Sequence, residues 1–212
     1  MDVEIKGAVG NGRAGLTVGT DTEVRMGKTG ELAIGNTHGF NYEAVSYGNV
    51  FMAANQSGVT TQAGLSVTTP ALTLFNPKGS GVNAVLIYAG CNASVAFAAA
   101  SIIWIGANTN IAAADVTGTA ATVKNALLGN AKNPACSCFT AATLPAAPVA
   151  IATLGVGLTG AITTIPSMGA INRYFDGAIV LAPGSAISFQ TSTASGTSGF
   201  FGEFIWEEVP IS

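Results

Sequence analysis

Six residues near the start of the chain, Gly10-Asn11-Gly12-Arg13-Ala14-Gly15, spell the glycine fingerprint of a dinucleotide-binding turn. That chemistry needs a buried strand before the turn and a helix opening at the last glycines, so that helix amides meet a pyrophosphate. Here the glycines run into Leu16-Thr17-Val18-Gly19, a strand and a turn. In a chain with 27 glycines such a match is expected by chance. Gly27-Lys28-Thr29 carries the closing letters of a P-loop, but the position of its first glycine is Thr22, and Gly30 follows where a helix should start. A turn presenting Lys28 fits better than a phosphate cradle.

Acid–base and metal chemistry fare no better. His38 is the only histidine, so any Ser-His-Asp or Cys-His relay must use it. It lies in a glycine-rich stretch, and no G-x-S-x-G elbow occurs. A second imidazole for a metal is missing, and Cys136-Ser-Cys138 is too tight for an ordinary zinc pair. With Cys91 the cysteines number three, an odd count read as buried thiols in a reducing cytoplasm. A glycosidase needs two facing carboxylates. Glu207 and Glu208 are adjacent and point to opposite faces of a strand, which leaves Asp176 with Glu203 as the pair to test. Arg173 is a natural ion-pair partner for one of these carboxylates. We therefore assign no catalytic, cofactor-binding or metal-ligating residue, and expect no enzyme.

The elements that would position any site are set by an unusual composition. Hydrophobic residues make up 49% of the 212, but charged residues only 9%, against about 25% in ordinary domains. A free monomer carries more surface charge than this, so much of the surface is expected to face other protein. Net charge is −3 and the eight basic residues are scattered, which argues against nucleic acid. The start, Met1 to Lys6, has no basic segment followed by an apolar run, so no secretory signal is expected. Two long stretches, Gly79 to Ala114 and Asn133 to Asn172, contain no charge. Asn and Gly punctuate the first into apolar blocks of strand length, so strands fit better than a membrane helix.

Ten of the nineteen charged residues lie in the first 50 positions. Residues 1–60 are glycine-rich and lack sustained apolar periodicity, which predicts an extended arm. Short strands are expected at Val3–Ile5, Leu16–Val18 and Glu31–Ile34, with one helix over Tyr42–Tyr47. Residues 61–212 show short β-branched and aromatic runs between turn signals. Strands are expected at Leu72–Phe75, Ala84–Ala89, Val95–Ala100, Ile102–Ile105, Ala135–Thr140 and Val149–Leu154. Asn108–Asn130 is a looser crossover in which Ala121–Leu128 is strand or short helix. Ile171–Leu181 follows, broken at Asp176-Gly177. Ala186–Thr191 and Phe200–Val209 read as a hairpin about Ser192–Gly199. The whole predicts a mainly β chain: an antiparallel, jelly-roll-like β-sandwich with an extended N-terminal arm.

Three stretches carry a family resemblance: Arg25 to Glu31 leading to His38-Gly39; Tyr42-Glu43-Ala44 through Gly48-Asn49-Val50-Phe51; and Asp176-Gly177, Ala182 to Ser185 and Trp206 to Pro210. Together they resemble small virion structural proteins of tailed bacteriophages, jelly-roll subunits that decorate or cement the capsid or sit on the tail. The resemblance implies a homo-oligomer, often a trimer, contact with the major capsid protein or other virion proteins, and no catalytic residue. It places the chain in a virion assembled in the host cytoplasm, without nucleic acid, membrane or cofactor as partner. On this reading the arm clamps neighbouring subunits through Phe40, Tyr42, Tyr47 and Phe51 with Arg13, Arg25 and Lys28. The alternative is a tail or fibre component whose loops attach to a receptor.

Overall fold

The computed structural model describes residues 7–8, 21–22, 39–111, 116–157 and 171–211. The chain divides into two compact units, Met1–Tyr47 and Gly48–Ser212. In the first, β1 (Gly7–Ala8) pairs antiparallel with β2 (Asp21–Thr22). The expected helix is present as α1 (Tyr42–Ser46). Its last turn closes when Tyr47 N–H donates to Glu43 O at 3.1 Å and Ser46 Oγ donates to the same oxygen at 2.7 Å. The strands expected at Val3–Ile5, Leu16–Val18 and Glu31–Ile34 lie outside the described residues.

The second unit is built from β3 (Val50–Ala54), β4 (Leu72–Asn76), β5 (Val82–Ala93), β6 (Ser101–Asn108), β7 (Thr117–Ala120), β8 (Val123–Asn125), β9 (Ser137–Thr143), β10 (Val149–Gly157), β11 (Ile171–Leu181), β12 (Ser185–Thr191) and β13 (Phe200–Pro210). They form two antiparallel sheets, one in the order β10-β6-β12-β4-β9-β7 and one in the order β11-β5-β13-β3-β8. Apart from the excursion through β7, β8 and β9, each connection except β6 to β10 carries the chain to the opposite sheet. That alternation is the topology of a jelly roll, so the expected fold is correct.

Alternation along the strands builds the core. Phe200, Phe204 and Trp206 turn in from β13, opposite Leu72 and Leu74 of β4, Ile187 and Phe189 of β12, and Ile103 and Ile105 of β6. Phe189 stacks on Phe204 across the two sheets, with centroids 4.5 Å apart and planes 13° apart. Gly202 is required at this crossing, because a Cβ there would lie 2.6 Å from the Phe189 ring. The six-stranded sheet is covered on its outer side as well. Phe75 and Ala186 turn out into a second cluster with Ile111, Val116, Ala142 and Leu144. Nearby, Ser66 N–H donates to Gln190 Oε1 at 3.0 Å. Strands β4 and β12 are therefore buried on both faces, and their polar Asn76 and Gln190 are hydrogen-bonded there.

Four expectations need correction. The arm does not extend to residue 60. Val50–Ala54 lies in the five-stranded sheet between β13 and β8. Asn55 behind it is a buried clamp, its Nδ2 donating to Ala71 O at 2.9 Å while Oδ1 accepts from Gly202 N–H at 2.8 Å. Phe51 is consequently no surface anchor. It is 0% exposed, and its ring lies 6.2 Å from that of Trp206. Val95–Ala100 is not a strand. β5 runs on to Ala93, and the next residues carry the chain to the other sheet, plugged by buried Phe97 against Phe200. The hairpin of β12 and β13 is also absent, since they belong to different sheets. Eight linking residues exceed the usual two to five of a hairpin, and they cross a core roughly 10 Å thick.

Candidate functional site

The structure distributes the expected contact residues unevenly. Arg13, Arg25, Lys28 and the lone His38 lie outside the described residues, as do both glycine motifs. In the first unit Phe40, Tyr42 and Tyr47 flank or occupy α1 and are exposed, Phe40 to 79%. Asp176 and Glu203 are not brought together. β5 separates their strands, so they stand roughly two strand spacings, about 10 Å, apart across the sheet, and further along it. Arg173 places its guanidinium over the Phe175 ring, 5.0 Å from the centroid.

The buried titratable groups hold structure together. Burial pushes the Cys91 thiol up to about 12, with a smaller push from the Glu203 charge. Burial likewise raises Cys138, and it raises Cys136 with help from Glu208. All three are free thiols in the core. Glu208, also buried, fastens β13 to the segment entering β9. Its Oε2 accepts from Ala135 N–H and its Oε1 from Cys136 N–H, both at 2.9 Å, and Trp206 Nε1 donates to Oε1 at 3.3 Å. Among the described residues no group of three His, Cys, Asp or Glu could hold a metal ion. No helix among them is long and apolar enough to cross a membrane.

Two surface features remain. The first is the edge where both sheets end, at β10 and β11. β10 is nine residues long, lies within the uncharged stretch Asn133 to Asn172, and pairs only with β6 among the described residues. Val149, Ile151 and Val156 are exposed to 67%, 47% and 51%. Register shifts at Ala150/Ala152 and Thr153/Gly155 interrupt its ladder. Such bulges discourage the addition of another strand, so this edge offers apolar side chains more than backbone.

The second feature is the outer face of the five-stranded sheet. Asn172, Gly90 and Glu203 form one cross-strand row on β11, β5 and β13, and Tyr174, Tyr88 and Ile205 form the next. Tyr88 Oη donates to Glu203 Oε1 at 2.8 Å. The Tyr174 ring meets Tyr88 edge to face, with centroids 5.1 Å apart. Gly90 makes room for this: a Cβ there would lie 2.5 Å from both Glu203 Oε1 and Tyr88 Oη. Burial, then the hydrogen bond and charge of Glu203, pushes the Tyr88 phenol up to about 12. Strict alternation from Ala84 and Leu86 would turn Tyr88 inward. The register shift opposite Ile205/Trp206 leaves Ile87 as an extra residue and turns Tyr88 outward.

Comparison with known proteins finds no matching family model, no matching curated protein and no matching solved structure.

Proposed function

We propose that this chain is a structural subunit of a virus particle that decorates or cements the capsid of a tailed bacteriophage, and that it assembles as a homotrimer. The observation that carries the reading is the β10 edge. Interface cores are depleted in charge and enriched in apolar side chains, and Val149, Ile151 and Val156 present such a surface at one end of a chain with few charges anywhere. The jelly roll supplies a rigid block, and Phe40, Tyr42 and Tyr47 supply aromatic groups suited to contact the major capsid protein.

The first test is the mass of the full chain in solution. A trimer has three times the 21.1 kDa chain mass, and Val149→Asp with Ile151→Asp drives it toward single copies. A wild-type chain that stays a single copy at all concentrations refutes the trimer. The second test is its position on purified particles by cryo-electron microscopy. Many copies spread over the shell support cementing. A few copies at one vertex favour the alternative, a tail or fibre attachment module, and absence from particles overturns both.

A further inference from the structure

We infer that the outer face of the five-stranded sheet holds a shallow carbohydrate site formed by Tyr174, Tyr88, Glu203 and Asn172 around Gly90, which takes a neutral hexopyranoside unit. The four side chains come from three adjacent strands and two consecutive rows. Strands are about 4.8 Å apart and same-face residues about 6.8 Å apart along a strand. The patch is therefore about the size of one sugar ring.

Its chemistry matches that ligand at each point. A pyranose has one face made of C–H groups, which packs on an aromatic ring, and a rim of hydroxyls, each of which both donates and accepts. Tyr174 is 67% exposed and offers the ring. Tyr88 stands edge to face with it and fixes its orientation at little entropic cost. Glu203 is held by the Tyr88 hydroxyl through Oε1, which leaves the direction of its carboxylate set before any ligand arrives. Carboxylate acceptors and the Asn172 amide, which both donates and accepts, are what adjacent hydroxyls need. An ammonium or guanidinium ion only donates and makes no use of the amide N–H groups. The polar set therefore favours a polyol over a basic side chain. Gly90 completes the arrangement, because any side chain there would push the Tyr88 hydroxyl and the Glu203 carboxylate apart.

This site lies on a sheet face and not on the β10 edge, so it stands or falls separately from the trimer. Saturation-transfer NMR of the full chain with methyl glucosides, galactosides and mannosides tests it. Ring C–H protons of at least one hexoside should receive saturation. Tyr174→Ala and Glu203→Gln should each weaken that hexoside about tenfold, while Tyr174→Phe keeps it. Tyr174 and Glu203 are both exposed, so the variants should retain the wild-type circular dichroism spectrum. If no hexoside receives saturation, or if Tyr174→Ala binds as the wild type does, the inference is overturned. Binding of tetramethylammonium in place of all hexosides overturns it as well and marks a cation site.

Discussion

Replacing Glu208 with alanine should be among the most damaging single changes in this protein, and the geometry sets its size. Glu208 is 3% exposed, and its carboxylate accepts two backbone N–H groups at 2.9 Å and one indole N–H at 3.3 Å. Hydrogen bonds to a charged group contribute roughly 1.5–3 kcal/mol each, and a buried donor left without a partner costs about 1–3 kcal/mol. Water can reach the partly buried Ala135 N–H in the variant, but not the buried Cys136 N–H or the Trp206 indole. Against these losses stands the desolvation of a carboxylate, which the variant no longer suffers. The net expectation is a loss of about 3–4 kcal/mol. Glu208→Gln keeps the shape and one acceptor but opposes a donor with its NH2 group, so it should lose about 2 kcal/mol. Urea unfolding followed by tryptophan fluorescence reads the difference. With a slope of roughly 2 kcal/mol per molar urea, the midpoint should fall by about 1.5–2 M for alanine and about 1 M for glutamine. A shift below roughly 0.3 M for alanine, or a glutamine variant weaker than alanine, would refute the view that this carboxylate pins β13 to β9.

Removing residues 1–47 should leave the jelly roll folded, whereas removing residues 1–60 deletes β3 with Phe51 and Asn55 and should abolish folding; circular dichroism and thermal melts of the two truncations decide it. The native thiols should resist iodoacetamide at neutral pH and react together once the chain is unfolded in urea, as read by intact mass. Because the folded protein holds Cys91 up to about 12 against an ordinary value of 9.0, the folded state binds its proton more tightly; the contribution of this thiol to stability is fully present below pH 9 and is lost as pH rises toward 12, so urea midpoints should fall across that window. Gly90→Ala should separate Tyr88 from Glu203 and let the Tyr88 phenol titrate below about 12, visible by ultraviolet titration against the wild type, without a large change in melting temperature.

The sandwich was legible because its signal is local. Leu72–Asn76, Ser101–Asn108, Val149–Gly157 and Ile171–Leu181 all carry β-branched or aromatic runs bounded by turn residues. The break expected at Asp176-Gly177 is a real bulge, with φ of 47° and 86° at the two residues. What failed depended on distant partners. Nothing near Val50–Ala54 distinguishes it from the glycine-rich arm until β13 is available to pair with it. Phe189 and Phe204 alternate as a hairpin would, and only the length of the link between them hints that they face each other across the core. The Tyr88–Tyr174–Glu203 cluster was invisible for two reasons. Its members are far apart in sequence, and one extra residue at Ile87 reverses the face on which Tyr88 sits.

The placement of β13 sets which contacts must form for the five-stranded sheet to close. β13, the strand furthest along the described residues, lies between β5 and β3, at the centre of its sheet, and carries Phe204 and Trp206 into the core. Without it, the β11-β5 pair and the β3-β8 pair have no strand to join them into one sheet. Native pairing of the five-stranded sheet therefore depends on contacts of long sequence separation, β13 with β3 above all, and such contacts slow folding.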